Sequence, residues 1–391
     1  MRCPSGAKWP HWRVEMTRTL EILEKLIAFP TVSRSSTLEL ISYVEDVLRP
    51  AGFTFTRIPA PEGDRAGLFA RIGPETAGGL CLSAHADVVP SEGQPWTKPA
   101  FALTRDGDRV FGRGTTDMKG YLAAALALAE QVDAAHLCAP LSLCLSYDEE
   151  IGCVGIREML PTLAAHIGAP DLIVVGEPTG LVPATAHKGK IALRLTCTGQ
   201  AGHSALAPRF TNAIHVATRV IDGCIAWQER LAKGPSDDSF DIPYATVHIG
   251  KVSGGRALNI VPDSATLDME IRHLPSQRPD DLLTTLQEIT QQAASTFDDA
   301  QVTIEAITRY PGLGTAIDQR LRGDLGGHHP ISVAFGTEAG FFAEMGLPTV
   351  VFGPGDMARD GHQPDEGLDL TQLNHCQTVL QRLVTRYCNA A

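Results

Sequence analysis

The chain has 391 residues, of which 43% are hydrophobic and 20% are charged, and this composition excludes a wholly disordered protein. Domains usually contain about 100–200 residues, so a chain of this length is expected to form two of them. The net charge of -12 argues against nucleic acid as a partner, because a phosphate backbone requires a basic face. No apolar run approaches the roughly 20 residues that a membrane-spanning helix needs, so we expect no membrane partner.

The chain begins with a segment that does not look like a folded element. Residues 1–15 contain prolines and tryptophans but no apolar core of the signal-peptide type. The tract that follows carries leucines on one helical face, which predicts a helix from Met16. We therefore interpret residues 1–15 as an extension before a natural start at Met16.

Cysteine usage bears on the cellular compartment. The nine cysteines are odd in number, scattered along the chain and without any C-x-x-C pair. A disulfide framework or a cysteine zinc site would show regular spacing, so we expect free thiols in a reducing cytoplasm.

The first half of the chain alternates predicted strands with predicted helices. Apolar strands are predicted at 78–89, 140–147 and 171–175, with helices between them at 116–132 and 156–165. Such alternation is typical of parallel strands joined by crossover helices. We predict an α/β fold with a mixed, mostly parallel sheet that is flanked by helices on both faces.

The pattern changes near residue 185. Residues 190–198 alternate apolar and polar side chains, as a half-buried antiparallel strand does. The predicted order then runs β-α-β-β-α-β, which indicates an inserted α+β domain, and the α/β pattern returns after it. We predict a discontinuous main domain at 1–184 and 312–391, with the inserted domain at 185–311.

Acidic side chains and a histidine stand at the ends of the predicted strands or at the start of the first intervening helix. They are His85, Asp87, Asp117, Glu149, Glu150 and Glu177. The carboxyl ends of the strands form the site in open α/β sheets, so we expect these residues to converge. Clustered anions repel one another, and a divalent cation relieves that repulsion. Histidine with carboxylates suits zinc, with manganese or cobalt as alternatives.

Each of these residues also has an ordinary structural explanation. A histidine after a strand is commonly a surface or capping residue, and Asp117 could be the N-cap of the helix that follows it. Glu149 and Glu150 could form a solvated turn. Their common position at one end of one predicted sheet favours the functional interpretation.

Five short strings resemble motifs of a known family, in that family's order. They are S-A-H-A-D-V-V-P at 83–90, G-R-G-T-T-D-M-K-G at 112–120, S-Y-D-E-E-I-G at 146–152, V-G-E-P-T at 175–179 and G-H-Q-P-D-E at 361–366. They are similar to the metal-site motifs of the zinc aminoacylase/carboxypeptidase family of co-catalytic metallopeptidases. The resemblance extends from about Thr17 to the C-terminus. It implies a metal-dependent amidohydrolase whose inserted domain serves as lid and dimerisation domain.

The resemblance also implies a pair of divalent metal ions, with Zn²⁺ expected and Co²⁺ or Mn²⁺ as alternatives. Asp117 would bridge the two ions. His85 and Glu177 would complete one site, and Glu150 and His362 the other. The two ions would acidify a shared water and polarise the amide carbonyl.

Three further roles follow from the same resemblance. Glu149 would be the general base, taking a proton from water and delivering it to the leaving amine. Asp87 would hydrogen-bond the far nitrogen of His85. His203 would reach across a homodimer and steady the oxyanion of the partner's reaction; a loop histidine that caps the following helix is the alternative.

The resemblance assigns substrate contacts to two segments. Asn259 lies in a segment similar to the family's lid loop, and the G-T-E-A segment, with Gly336, Thr337 and Glu338, is similar to a substrate-facing turn. Arg272 and Lys188 could hold a substrate carboxylate, although each could equally be structural.

The expected substrate is a small N-acylated amino acid. The T-A-H-K-G-K and G-T-E-A-G-F-F segments resemble the branch of the family that deacetylates N2-acetyl-L-ornithine in arginine biosynthesis. Arg256 and Ala257 in the lid-loop segment and His273 after Arg272 depart from the pattern, so N-acetylcitrulline or an N-formyl substrate stays open. The sequence is also compatible with a succinyl-diaminopimelate deacylase, with a dipeptidase or carboxypeptidase, and with a binding protein that has lost its metal site. The complete ligand set disfavours the binding protein.

Overall fold

The computed structural model describes residues 15–389, so the expected N-terminal extension lies almost entirely outside the described residues. The chain divides into two compact units. The first comprises the chain up to Thr185, Thr315–Ile331 and the chain from Thr337 onward, and the second comprises Ala186–Gly314 and Ser332–Gly336. The domain boundaries predicted from the sequence put residues 332–336 in the main domain. They group with the second unit instead, where Gly336 is so close to Tyr310 that a Cβ would lie 2.1 Å from its ring.

The sheet of the first unit has a parallel centre and antiparallel flanks. Its strands, in spatial order, are Thr54–Pro59, Ala66–Ile72, Leu141–Ser146, Leu80–His85, Leu172–Val175 and Thr349–Val351, followed by the strand that begins at Ala184. Leu80–His85 is parallel to both of its neighbours. The mixed, mostly parallel sheet predicted from the sequence is therefore confirmed. Its first two strands, which pair antiparallel, were not predicted.

Helices cover both faces of this sheet, also as predicted. Leu68 and Leu82 belong to a core that is shared with the helices Met16–Ala28, Leu38–Leu48, Lys119–Ala129 and Leu370–Cys388. On the other face, Phe69 stacks on His166 of the helix Val154–Ile167. Successive strand residues point to opposite faces, so the contacts of Leu68 and Phe69 define two helical layers.

Short elements complete the first unit. The strands Thr104–Asp106, Arg109–Phe111 and Gly367–Asp369 form a separate small sheet. The other short elements are the helices Gln319–Asp324, Ala339–Glu344 and Met357–Asp360 and the 3-10 turns Arg49–Ala51 and Ala134–His136. The strands Ala184–His187, Leu313–Gly314 and Ile331–Val333 occur where the chain passes from one unit's residues to the other's.

The second unit is an antiparallel sheet with two helices packed on it. Its strands, in spatial order, are Thr246–Gly254, Ser264–His273, Gly189–Thr198 and Gln301–Tyr310, and its helices are Ala213–Leu231 and Pro279–Ala294. Burial alternates along Gly189–Thr198, in agreement with the apolar alternation of the sequence. The pair Gly202–His203 and Ile260–Val261 and the 3-10 segment Ser204–Arg209 complete this unit.

Most of the described cysteines are buried free thiols, as their spacing predicts. Seven described cysteines are buried free thiols: Cys81, Cys144, Cys153, Cys197, Cys224, Cys376 and Cys388. Cys138 is disulfide-bonded, so the expectation of free thiols is wrong at that position.

Within residues 15–389, no helix combines the length and apolarity that crossing a membrane requires.

Candidate metal centre and active site

The central strands bring the predicted site residues to one edge of the sheet. His85 ends the strand Leu80–His85, whose parallel neighbours are Leu141–Ser146 and Leu172–Val175. The turns after those neighbours carry Glu149, Glu150 and Glu177. Parallel strands end at the same edge, so residues that are far apart in the sequence meet there.

Asp117 lies between two imidazoles. Its Oδ1 is 3.1 Å from Nε2 of His85, and its Oδ2 is 3.3 Å from Nε2 of His362. Glu177 Oε1 lies 3.7 Å from Nε2 of His85, and Glu150 Oε2 lies 3.0 Å from Nε2 of His362. The predicted ligands thus form two groups, with the Asp117 carboxylate common to both.

The donor atoms suit a divalent cation. His85, Glu149 and Glu177 offer ligand atoms that lie within 4.8 Å of one another, as do His85, Asp117 and Glu150. This grouping by distance differs from the predicted one, because it includes Glu149 and leaves out His362. Oε1 of Glu150 is buried without a hydrogen-bond partner among the described residues. An unpartnered buried carboxylate oxygen is costly, and a metal ion would satisfy it.

Burial dominates the electrostatics of the site. It raises the pKa of Glu150 to about 7, and it raises the pKa of Glu149 and Glu177 well above the usual range for a carboxyl. Burial also opposes the ionisation of Asp117, but hydrogen bonds from the two imidazoles outweigh it and lower the pKa of that carboxyl. Burial therefore disfavours the simultaneous ionisation of these carboxyls. A divalent cation would supply the positive charge that stabilises their ionised forms.

Asp87 connects His85 with the turn that holds the two glutamates. Its backbone carbonyl lies 2.9 Å from Nδ1 of His85, whereas its carboxylate Oδ1 is 3.6 Å from the same nitrogen. The carboxylate accepts the backbone N–H of Glu149 at 3.0 Å and that of Glu150 at 3.3 Å. Ser33 Oγ donates a further hydrogen bond to it at 2.7 Å. The carboxylate of Asp87 thus orients the glutamate turn, whereas its backbone carbonyl is the group that mainly orients His85.

Glu338 is a buried carboxyl beside the site that the sequence placed only within a substrate-facing turn. It is 1% exposed, and burial raises its pKa to about 7 although Ser146 hydrogen-bonds it. Among the described residues, its Oε1 has no hydrogen-bond partner. The G-T-E-A segment reveals that a carboxyl is present, but it does not reveal that this carboxyl is buried. Burial arises from packing against residues that are distant in the sequence.

The residues predicted to lie in the lid or to contact the substrate are divided between the two units. His203 and Asn259 are exposed in the second unit, where Nδ1 of His203 accepts the N–H of Ala205 at 3.1 Å. Arg272 donates to Tyr310 Oη at 2.7 Å. Thr337 is fully buried in the first unit, and its hydroxyl accepts the N–H of Ala339 at 3.0 Å. No contact to a substrate follows from these positions alone, so these roles stay predictions.

The turn that carries Glu177 is closely packed against Gly353. A Cβ at Gly353 would lie 2.2 Å from the carbonyl oxygen of Gly176 and 2.6 Å from that of Glu177. We expect Gly353→Ala to displace this turn, to lower the free energy of unfolding by about 1–3 kcal/mol and to reduce metal content. Urea unfolding and elemental analysis measure the two effects.

The matched control for that substitution is Gly323→Ala. Nothing lies within 4 Å of the Cβ position at Gly323, which is in the helix Gln319–Asp324. The control should be neutral or stabilising by about 0.4–1 kcal/mol, because alanine restricts the unfolded chain. Wild-type stability and metal content in Gly353→Ala would show that the close packing does not hold Glu177 in place.

A mixed α/β sheet whose edge gathers histidines and carboxylates into groups that could hold metal ions is typical of a metal-dependent hydrolase. The sequence profile of peptidase family M20/M25/M40 matches residues 81–386, and the chain belongs to that family. The chain is therefore a hydrolase, and its predicted membership of the co-catalytic metallopeptidases is confirmed.

Curated relatives match nearly the whole chain. An acetylornithine deacetylase of Myxococcus xanthus is 33% identical in an alignment of length 374 that covers 94% of this chain and 96% of the relative. An acetylornithine deacetylase of Proteus mirabilis (strain HI4320) is 31% identical in an alignment of length 388 that covers 96% of this chain and 98% of the relative. This similarity supports the general reaction, hydrolysis of an amide in a small molecule.

Solved structures show the same fold at low sequence identity. The metallo-carboxypeptidase Sso-CP2 of Sulfolobus solfataricus has a TM-score of 0.74 at 19% identity, over 94% of this chain and 98% of that one. The Bacillus subtilis YXEP protein, described as a dinuclear metal-binding peptidase, has a TM-score of 0.68 at 17% identity, over 95% and 98%.

Proposed function

We propose that this enzyme hydrolyses N2-acetyl-L-ornithine to L-ornithine and acetate, a step of arginine biosynthesis in the cytoplasm. The observation that carries the proposal is the similarity to acetylornithine deacetylases, which reaches 33% identity and covers at least 94% of the chain. The metal-ligand positions and the proposed base all carry residues that are competent for this chemistry.

Two Zn²⁺ ions are the proposed cofactors, with Co²⁺ or Mn²⁺ as alternatives, because imidazole and carboxylate ligands suit these metals. Asp117 would contribute one oxygen to each ion, since its two oxygens face different imidazoles. Glu177 would join His85 in one site, and Glu150 would join His362 in the other. Such a pair of cations supplies the positive charge that acidifies water and polarises an amide carbonyl.

Glu149 is the proposed general base. Its main chain is held by Asp87, and its Oε1 accepts a hydrogen bond from the Cys153 thiol at 3.3 Å. Burial raises the pKa of Glu149 well above the usual range, which favours a carboxyl that takes up a proton from water and keeps it until transfer to the leaving amine. The neighbouring Glu150 approaches His362 instead, so the two adjacent residues can have separate roles.

A cavity of the second unit could bind the substrate carboxylate. It has a volume of about 470 Å³, and both Lys188 and Arg272 line it. Burial, together with the positive charge of Arg272, lowers the pKa of Lys188. Arg272 is also paired with Glu270 at 3.1 Å, so a substrate carboxylate would add negative charge chiefly for Lys188. Gly336 and Thr337 remain proposed substrate contacts.

We propose a homodimer that is formed through the second unit. Thr246–Gly254 is an edge strand of the antiparallel sheet, and its Val252 is 57% exposed. Unpaired edges with apolar side chains are common sites of association. The exposed His203 would then be available to steady the oxyanion in the partner's site, and the nearby Asn259 to contact substrate.

A substrate panel tests the proposed reaction. We expect kcat/KM on N2-acetyl-L-ornithine to exceed that on N-acetylcitrulline, N-succinyl-diaminopimelate and dipeptides by at least about tenfold, because specificity reflects differential stabilisation of the transition state. The measurement uses zinc-reloaded enzyme.

The other possible results of the substrate panel would change the proposed substrate or contradict the proposed reaction. A tenfold preference for a dipeptide would favour a dipeptidase or carboxypeptidase of the same fold. A preference for N-acetylcitrulline or the succinyl compound would keep the reaction and change the substrate. Hydrolysis of no compound would contradict the proposal.

A further inference from the structure

One buried carboxylate accepts hydrogen bonds from the main chain of the loop that ends at Asp117. Glu366 is 1% exposed and lies four positions after His362 in the sequence. Its Oε1 accepts the backbone N–H of Thr116 at 2.8 Å and that of Asp117 at 3.0 Å. Its Oε2 accepts the N–H of Gly114 at 3.0 Å.

The rest of the same loop is also bonded to Glu366. Arg113 is itself 1% exposed, and its Nη1 donates to Oε2 of Glu366 at 2.7 Å. The backbone carbonyl of Glu366 accepts the N–H of Gly112 at 2.9 Å and the hydroxyl of Thr115 at 3.2 Å. Every residue from 112 to 117 therefore hydrogen-bonds to Glu366.

The network continues to the main chain around His362. Arg113 donates to the side-chain oxygen of Gln94, and Gln94 Nε2 donates to the backbone carbonyl of His362 at 2.8 Å. Arg113 Nη1 also donates to the carbonyl of Gln363 at 3.3 Å. The His362 side chain is 49% exposed, so packing alone does not hold its imidazole in place. The position of this ring depends on the backbone that carries it.

We propose that Glu366 is a positioning residue of the metal centre, which holds the loop of Asp117 and the segment of His362 at the spacing that two metal ions require. The proposal rests on the metal centre of the proposed function but not on the identity of the substrate. The negative charge is essential, because all four bonds to the carboxylate come from N–H donors. An amide in its place would direct its own N–H groups at some of those donors.

The test measures metal binding by metal-free protein. Zn²⁺ is titrated into wild type and Glu366→Gln in competition with a chromophoric chelator, and the unfolding midpoint of each metal-free protein is recorded. We expect Glu366→Gln to bind zinc about 10–100-fold more weakly, the usual cost of losing a group that orients metal ligands. Glu366→Asp keeps the charge and should recover part of the lost affinity.

Glu45→Gln is the matched control. Glu45 is also a buried carboxylate of the first unit, 9% exposed and paired with Arg57. Its replacement should leave zinc affinity unchanged even if the protein is less stable. Wild-type affinity in Glu366→Gln would overturn the inference, as would an equal loss in Glu45→Gln, which would indicate general destabilisation. A wild-type protein that binds no zinc would instead contradict the proposed metal centre.

Gln94→Ala provides a second variant if Glu366→Gln does not fold. Gln94 is partly exposed, and its replacement breaks the connection to His362 while the buried pair of Glu366 and Arg113 stays intact. We expect one of the two zinc equivalents to bind about tenfold more weakly. Unchanged affinity for both equivalents would overturn the proposed connection between the two segments.

Discussion

Glu149→Gln is expected to lower kcat/KM on N2-acetyl-L-ornithine by about 10²–10⁴-fold, the factor that a positioned general base contributes. The amide keeps the size of the side chain but cannot take a proton from water. Metal content is expected to remain close to that of wild type, because Asp117 and not Glu149 lies between the two imidazoles. Steady-state kinetics and elemental analysis of zinc-reloaded protein measure both quantities.

The control for this variant is Glu158→Gln, an exposed glutamate on the helix Val154–Ile167. It should retain its metal, and its kcat/KM should stay within about twofold of wild type, as is usual for a surface substitution. Loss of metal in Glu149→Gln would reassign Glu149 as a ligand. The grouping of its carboxylate with His85 and Glu177 within 4.8 Å shows why that outcome must be measured.

Asp117→Asn is expected to remove most of the bound metal and to lower kcat/KM by at least about 100-fold. The substitution takes a negative oxygen away from both ligand groups, since one carboxylate faces His85 at 3.1 Å and His362 at 3.3 Å. Losing a residue that merely orients a ligand costs about 10–100-fold in metal affinity, so losing a shared ligand should cost at least the upper value.

Elemental analysis after zinc reloading and gel filtration measures this loss. Asp133→Asn is the control: its carboxylate accepts the N–H of Ala135 in an exposed turn, and its replacement should leave metal content unchanged. Wild-type metal content in Asp117→Asn would contradict the bridging role, whatever happened to activity.

Much of the site could be predicted because its residues follow apolar strands directly. The apolar runs before His85, Glu149 and Glu177 predict strands, and the alternation with helices predicts that these strands are parallel. Parallel strands end at one edge, so the convergence of these residues follows from local patterns. The bridging role of Asp117 and the choice of His362 required family resemblance, because Asp117 stands at the start of a predicted helix and His362 follows no predicted strand.

The sequence by itself determined the main strands and helices, the family and the candidate ligands, since these depend on local periodicity and short motifs. Only the tertiary structure decided which groups are buried and which segments are joined. Glu366 is hydrogen-bonded to Arg113, 253 positions away, and Glu338 is buried beside Ser146. Both glutamates lie in short motifs, but the motifs show neither their burial nor their partners. The physical reason is that burial and hydrogen bonding between distant segments arise from packing, which a local pattern of residues does not encode.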